Sequence, residues 1–255
     1  MLLENFNAVE HKNKIVQWIR DWFEENGKGC KAVIGISGGK DSTVVAGLCV
    51  EALGKENVIG VMMPNGYQSD GQDAFNVCNT LGIRFTFQPI DDQYKATLYN
   101  MEYPIDGNMY RIEATEQAKI NLAPRLRMAI LYAISQSVNG RVACTDNLSE
   151  SYIGYSTRWG DNVGDFCPLA NFTTDEVVAI GDALGLPYDL VHKTPTDGLC
   201  GKTDEDNFGF TYAILNKYIR TGVCEDEEVK KLIDEKHEKN LFKLQPIPSF
   251  KFNYE

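Results

Sequence analysis

Four short apolar runs, separated by helical stretches, constrain this chain more than any other feature. Lys31 to Ile36 reads KAVIGI, and Val58 to Met63 reads VIGVMM. Arg84 to Pro89 and Arg141 to Thr145 are two further runs. The first two are apolar, rich in β-branched residues and too short for helices, the signature of buried parallel strands, and the other two read as a third and a fourth strand. The first three begin about 26 residues apart, the length of a βαβ unit. The spacers carry helical periodicity. Ala8 to Glu25 has Val9, Ile15, Val16, Ile19, Trp22 and Phe23 on one face, and glycines end it. Ser42 to Leu53 and Ser69 to Leu81 are predicted helices stopped by Gly54 and Gly82. Glu113 to Val138 is helical, with Pro124 predicting a kink or two helices. Helices are also predicted at Thr174 to Leu184, Thr203 to Ile219 and Glu225 to Lys239. Leu241 to Glu255 reads as an extended arm. The pattern predicts one α/β domain spanning 1–255, a doubly wound parallel sheet flanked by helices.

Composition narrows the function. The chain has 36 acidic and 25 basic residues, a formal charge of −11, which argues against gripping a nucleic-acid backbone. No apolar stretch approaches the ~20 residues of a membrane helix, and the acidic N-terminus is unlike a secretory signal. Seven cysteines at wide spacings, with no C-x-x-C pair, read as reduced core thiols of a cytoplasmic protein. They do not read as zinc or iron–sulfur ligands.

The sharpest local feature follows the first strand: Gly35-Ile36-Ser37-Gly38-Gly39-Lys40-Asp41-Ser42. Paired glycines let the backbone approach a ligand closely. The helix start supplies free amides and the positive end of its dipole, and Ser37 and Ser42 add hydroxyls. These features form a phosphate cradle. The Walker A and G-x-G-x-x-G patterns both fail here. An aspartate inside a phosphate loop needs a cation, so Asp41 suggests Mg²⁺ bridging carboxylate and phosphate. A plain glycine turn between strand and helix is the bland alternative.

SGGKDS resembles the SGGxDS loop of the ATP pyrophosphatase superfamily, which cleaves ATP between its α and β phosphates. The irregular segment from Thr145 narrows the resemblance. Thr145-Asp146 with Glu150, Thr157-Arg158 with Gly160-Asp161, then Asp165 and Pro168-Leu169 are similar to the NAD synthetase pattern. Met63-Pro64 with Gln68, Asp70, Asp73 and Ala74 fits the same family, as do Asn121 with Arg125, Arg127 and Met128. Pro195-Thr196, Asp204-Glu205 and the Phe208 to Ile219 stretch extend the likeness.

The resemblance implies ATP- and Mg²⁺-dependent amidation of deamido-NAD⁺ through an acyl adenylate, releasing AMP and pyrophosphate. It implies Asp41 and Glu150 as Mg²⁺ ligands, with Lys40 beside them in catalysis. Gly35 to Ser42, Thr145 and Thr196 would contact ATP. Arg125, Arg158, Asp165 and Lys243 would contact deamido-NAD⁺. Arg125 and Arg127, two apart, cannot share a helix face, and Arg125 is the one expected in the site. The bland alternative for Glu150 is a helix-start carboxylate favoured by the dipole, but its spacing from Thr145 and Asp146 fits the motif. Free ammonia is the expected nitrogen donor, because the extra domain of glutamine-using members does not fit in 255 residues. A separate docking glutaminase is the alternative. The family implies a homodimer, for which the helix of Trp18, Trp22 and Phe23 could serve; core packing explains it equally well.

The chain departs from the family in places. Lys40 stands where many members have Gln. Thr174 stands where many have a phosphate-contacting Lys, a loss Lys40 is expected to offset. Phe242-Lys243 stands where many have His-Lys. Two other classes remain: a different ATP pyrophosphatase, such as a tRNA-modifying enzyme, or a non-catalytic nucleotide-binding module. The first would want cysteine pairs and a basic surface, the second loss of Asp41 and Glu150.

Overall fold

The computed structural model describes residues 6–66, 71–103, 106, 110–193 and 204–252. Among them, strands β1 (Lys31–Gly35), β2 (Val58–Met62), β3 (Arg84–Phe87) and β4 (Gly140–Val142) form a parallel sheet in the order β3-β2-β1-β4. Ala32 lies opposite Val58 on one side and Arg141 on the other. The chain past β4 is extended by a parallel bridge between Ala143 and Phe166.

The helices are α1 (Ala8–Asn26), α2 (Lys40–Leu53), α3 (Gly71–Leu81), α4 (Asp91–Glu102), α5 (Glu116–Ser137), α6 (Leu148–Ile153), α7 (Thr174–Ala183), α8 (Tyr188–Val191), α9 (Asp204–Phe208), α10 (Tyr212–Thr221) and α11 (Glu227–Asn240). They cover both faces, because alternate strand residues point to opposite sides. On one face Ala32 and Ile34 pack with Ile19 and Phe23 of α1, Val44 and Leu48 of α2, Val77 of α3 and Ile180 of α7. On the other, Val33 and Val61 pack with Ile90, Ala123 and the half-buried Leu126, Ile130 and Ile134, which brings in α5. Ile19, Ile34 and Leu48 are completely buried, each worth about 1.5–3 kcal/mol of transfer free energy. The sheet is therefore doubly wound; β1 and β2 are apolar and largely buried, while the edge strand β3 leaves Arg84, Phe85 and Phe87 exposed. A third cluster joins Ile153 of α6 to Phe208, Tyr212, Leu215 and Ile233 of α9 to α11.

Some boundaries differ from expectation. The helix expected from Ser42 begins at Lys40, because Gly39 is already its extended N-cap. The stretch around Pro124 is one continuous helix. The helix expected over Thr203 to Ile219 is two, split where Gly209 turns to φ +85°. The strand expected to reach Thr145 ends at Val142. Helix α4 was not anticipated: DDQYKATLYNME buries none of its side chains, so it shows no apolar period. Past the 3₁₀ turn Leu241–Lys243 the tail has no regular structure, and Phe250 is 91% exposed. In α1, Phe23 enters the core and Trp22 stacks on Phe166, while Trp18 faces outward. Cys30, Cys49, Cys78 and Cys144 are buried free thiols, and burial pushes Cys78 up to about 11. Among the described residues no helix is long and apolar enough to cross a membrane.

Candidate active site

Strand β1 is followed in the chain by β2 on one side of it, while β4 joins on the other. In a parallel sheet the crevice at such a reversal, beyond the carboxyl ends of the strands, is where ligands bind. Two segments leave the sheet there: the Ile36 to Gly39 loop from β1, and Cys144 to Asn147 from β4.

The first segment curls tightly. Gly38 adopts φ +84°, a conformation that any side chain would strain. Gly39 N donates to Ser37 Oγ at 3.1 Å, and Ser42 Oγ donates to Gly39 O at 3.1 Å. The two serine hydroxyls lie 3.2 Å apart. Gly39 caps α2 without a side-chain hydrogen bond, so the first-turn amides open toward the crevice. Lys40 and Asp41 sit in that first turn.

The second segment ends at Asn147, which caps α6: its Oδ1 accepts from Glu150 N at 3.1 Å. Glu150 is thus the helix-start carboxylate that its spacing allowed, and it also joins a charged cluster. Asn147 Nδ2 donates to Asp41 Oδ1 at 3.0 Å, and Lys40 Nζ donates to Asp41 Oδ2 at 2.9 Å. Lys40 is only 5% exposed. Burial alone would lower its pKa, but the Asp41, Glu150 and Asp204 carboxylates hold it above the ordinary lysine value. Burial pushes the Glu150 carboxyl up to about 8; Asp41 and Asp204 add to this and Lys40 opposes it. Asp146 is raised as well, by burial and then by neighbouring acids. Asp204 accepts from Tyr212 OH at 3.1 Å, and the Tyr212 ring lies 5.8 Å from Lys40 Nζ.

Asn147, Asp204 and Tyr212 were not among the residues singled out from sequence. The resemblance had quoted Asp204 without a role, and Asn147 carries the ordinary signal of a helix cap. Thr145 lies two residues before Asn147 in the same segment. Thr196, Pro195, Gln68 and Asp70 lie outside the described residues. Thr174, at the start of α7, is buried, and its N–H donates to Ser149 Oγ at 3.0 Å.

The remaining candidates are Arg125, Arg158, Asp165 and Lys243. Arg158 stacks over Trp159 and Phe242, at 4.9 and 5.4 Å, and its Nη2 donates to Gln245 O at 3.3 Å. Arg125 Nε donates to Arg158 O at 3.3 Å, while Arg127 Nε turns instead to Met63 O at 2.9 Å. Lys243 Nζ donates to Gly154 O and Ser156 O, at 2.7 and 2.9 Å, fixing the start of the tail to the loop after α6. Burial lowers the Lys243 pKa. Asp165 accepts from Val142 N at 2.7 Å and Tyr132 OH at 3.3 Å, so its carboxylate braces the end of β4. Burial first, and then this carboxylate, raises the Tyr132 phenol to about 12.

A parallel sheet with a glycine- and serine-rich loop entering a helix at its switch point, faced by carboxylates, defines a nucleotide-binding α/β enzyme. The sequence pattern of the NAD synthase family matches residues 11–253. An NH₃-dependent NAD⁺ synthetase of Methanococcus aeolicus is 40% identical over 84% of this chain and 82% of its own length. That of Thermococcus sibiricus is 38% identical over 94% of this chain and 88% of its own. Among solved structures, NMN synthetase from Francisella tularensis superposes with a TM-score of 0.87 at 31% identity, covering 97% of this chain and all of that one. NH₃-dependent NAD synthetase from Campylobacter jejuni gives 0.77 at 26%, covering 96% and 100%. The chain belongs to the NAD synthase family, and is a ligase of NAD synthesis that uses ATP as a substrate.

Proposed function

We propose that the chain amidates deamido-NAD⁺ to NAD⁺ with ammonia. The nicotinate carboxylate attacks the α-phosphorus of ATP and pyrophosphate leaves. Ammonia then attacks the acyl carbon, and AMP leaves. One observation supports this best: the phosphate loop and the Asp41–Lys40–Glu150 cluster meet at the switch point.

The amides of the loop from Gly35, with the Ser37 and Ser42 hydroxyls, hold the leaving phosphates; Thr145 and Thr196 complete the ATP contacts. Lys40 adds a fixed cation where negative charge gathers. Arg125, Arg158, Asp165 and Lys243 orient the dinucleotide. The Arg158 guanidinium lies against the Trp159 and Phe242 rings and donates to Gln245 O, contacts that place it before substrate arrives.

Mg²⁺ fits the donor set. The described residues contain no group of three or more His, Cys, Asp or Glu suited to hold a metal alone. Mg²⁺ needs none: it commonly keeps its waters and takes one or two carboxylates plus substrate phosphates. Burial is the main cause that raises Glu150 and repulsion from Asp41 adds to it; a cation held by both carboxylates would relieve that repulsion. Bound there, Mg²⁺ would neutralise phosphate charge as the α-phosphorus is attacked. The same reading makes residues 1–255 one catalytic domain, acting as a cytoplasmic homodimer.

The 0.87 TM-score to an NMN synthetase favours one alternative, in which the acceptor is the mononucleotide, nicotinate mononucleotide. Comparing kcat/KM for the two acceptors, with ATP and ammonium saturating, decides. Preference for deamido-NAD⁺ supports the proposal; preference for the mononucleotide replaces its acceptor.

A further inference from the structure

Asn147 is completely buried between the Asp41 carboxylate and the backbone of Glu150, and both ends of its amide are engaged. Its Nδ2 meets Asp41 on α2 and its Oδ1 meets the first turn of α6. The amide fits only this way round, since the reverse would set oxygen against carboxylate and N–H against N–H. Asp41 is consequently gripped at both oxygens, Oδ1 by Asn147 and Oδ2 by Lys40.

We infer that Asn147 is a positioning residue: its amide sets the plane of the Asp41 carboxylate and ties it to the helix that carries Glu150, so that both carboxylates face one divalent cation. The inference rests on the assignment of Asp41 and Glu150 as ligands. A carboxylate turns freely about its last torsion unless something holds it. Partners that orient metal ligands are typically worth about 10–100-fold in metal affinity or activity. The capping bond is a separate contribution, to helix stability.

The two roles come apart by substitution. Serine caps a helix about as well as asparagine, but its shorter side chain does not span to Asp41. The probe is Mn²⁺ with a non-hydrolysable ATP analogue, titrated calorimetrically into wild type, Asn147→Ser, Asn147→Ala and Asp41→Asn. Asn147→Ser should weaken Mn²⁺ by about 10–100-fold with a melting temperature near wild type, and Asn147→Ala should lose both. The Mg²⁺ needed for half-maximal activity should rise in Asn147→Ser by a similar factor. Unchanged Mn²⁺ affinity in Asn147→Ser, beside a clear loss in Asp41→Asn, would make Asn147 a helix cap only. Unchanged affinity in Asp41→Asn would remove Asp41 as a ligand and overturn the inference with it. Asn147→Thr keeps a capping oxygen and replaces the serine variant if that fails to fold.

Discussion

Lys40→Gln removes the ammonium that binds Asp41 and faces Glu150 and Asp204. Lys40 is 5% exposed and its partner Asp41 has an 18% exposed side chain, with 2.9 Å between them. Breaking a buried ion pair from one side costs about 3–5 kcal/mol, because the other charge stays behind. Asp41 keeps its bond from Asn147, so the low end applies, about 3 kcal/mol. For a chain of this size that lowers Tm by roughly 6–12 °C. A charge-assisted hydrogen bond to a phosphate is worth about 1.5–3 kcal/mol, which predicts a rise of roughly 10- to 150-fold in KM for ATP. KM for the dinucleotide acceptor should change far less. The assay pairs thermal melts with steady-state kinetics at saturating Mg²⁺. A lower Tm with an unchanged KM for ATP would refute the phosphate role and leave Lys40 a purely structural cation.

Glu176 is 2% exposed, completes the cap of α7 through Thr173 N at 2.8 Å, and pairs with Arg220 of α10. Glu176→Ala should cost about 3–5 kcal/mol in urea unfolding, and a double-mutant cycle with Arg220→Ala should show strong coupling; additive losses would contradict the pairing. Gly154 adopts φ +67°, and a Cβ there would lie 2.1 Å from Asn240 Cβ, so Gly154→Ala should cost about 2–4 kcal/mol and speed proteolysis of the tail; a neutral effect would contradict the packing. Because Glu150 is raised to about 8 from 4.5, the folded chain binds more protons than the unfolded one between those values. This group's contribution to stability therefore falls as pH rises through that window. Urea midpoints in chelator should show the fall, and Glu150→Gln or saturating Mg²⁺ should remove it; a fall unaltered by both would contradict the cause.

The parallel core was legible because strands buried on both faces are apolar throughout, and KAVIGI and VIGVMM are found within a residue of their predicted ends. Helix α4 was not, because it lies on the surface with no buried side chain to set a period. Gly209 inside the Thr203 to Ile219 stretch was a breaker with a visible signal: helical spacing on either side masked a left-handed turn. At the site, the phosphate loop was legible because its chemistry is local. Asn147 meets Asp41, and Asp204 faces Lys40, from segments more than 100 residues further along the chain, and no spacing encodes that meeting. Asp165, expected at the dinucleotide, also accepts from Val142 N, a contact set by the return of the chain at Phe166 that no local spacing encodes.

The most direct test is to incubate the purified protein with ATP, Mg²⁺, deamido-NAD⁺ and ammonium chloride, with glutamine replacing ammonium in parallel. The account predicts NAD⁺ from ammonium, with AMP and pyrophosphate formed one for one and no NAD⁺ from glutamine alone. Formation of ADP and phosphate, or no NAD⁺ with either donor, would contradict it.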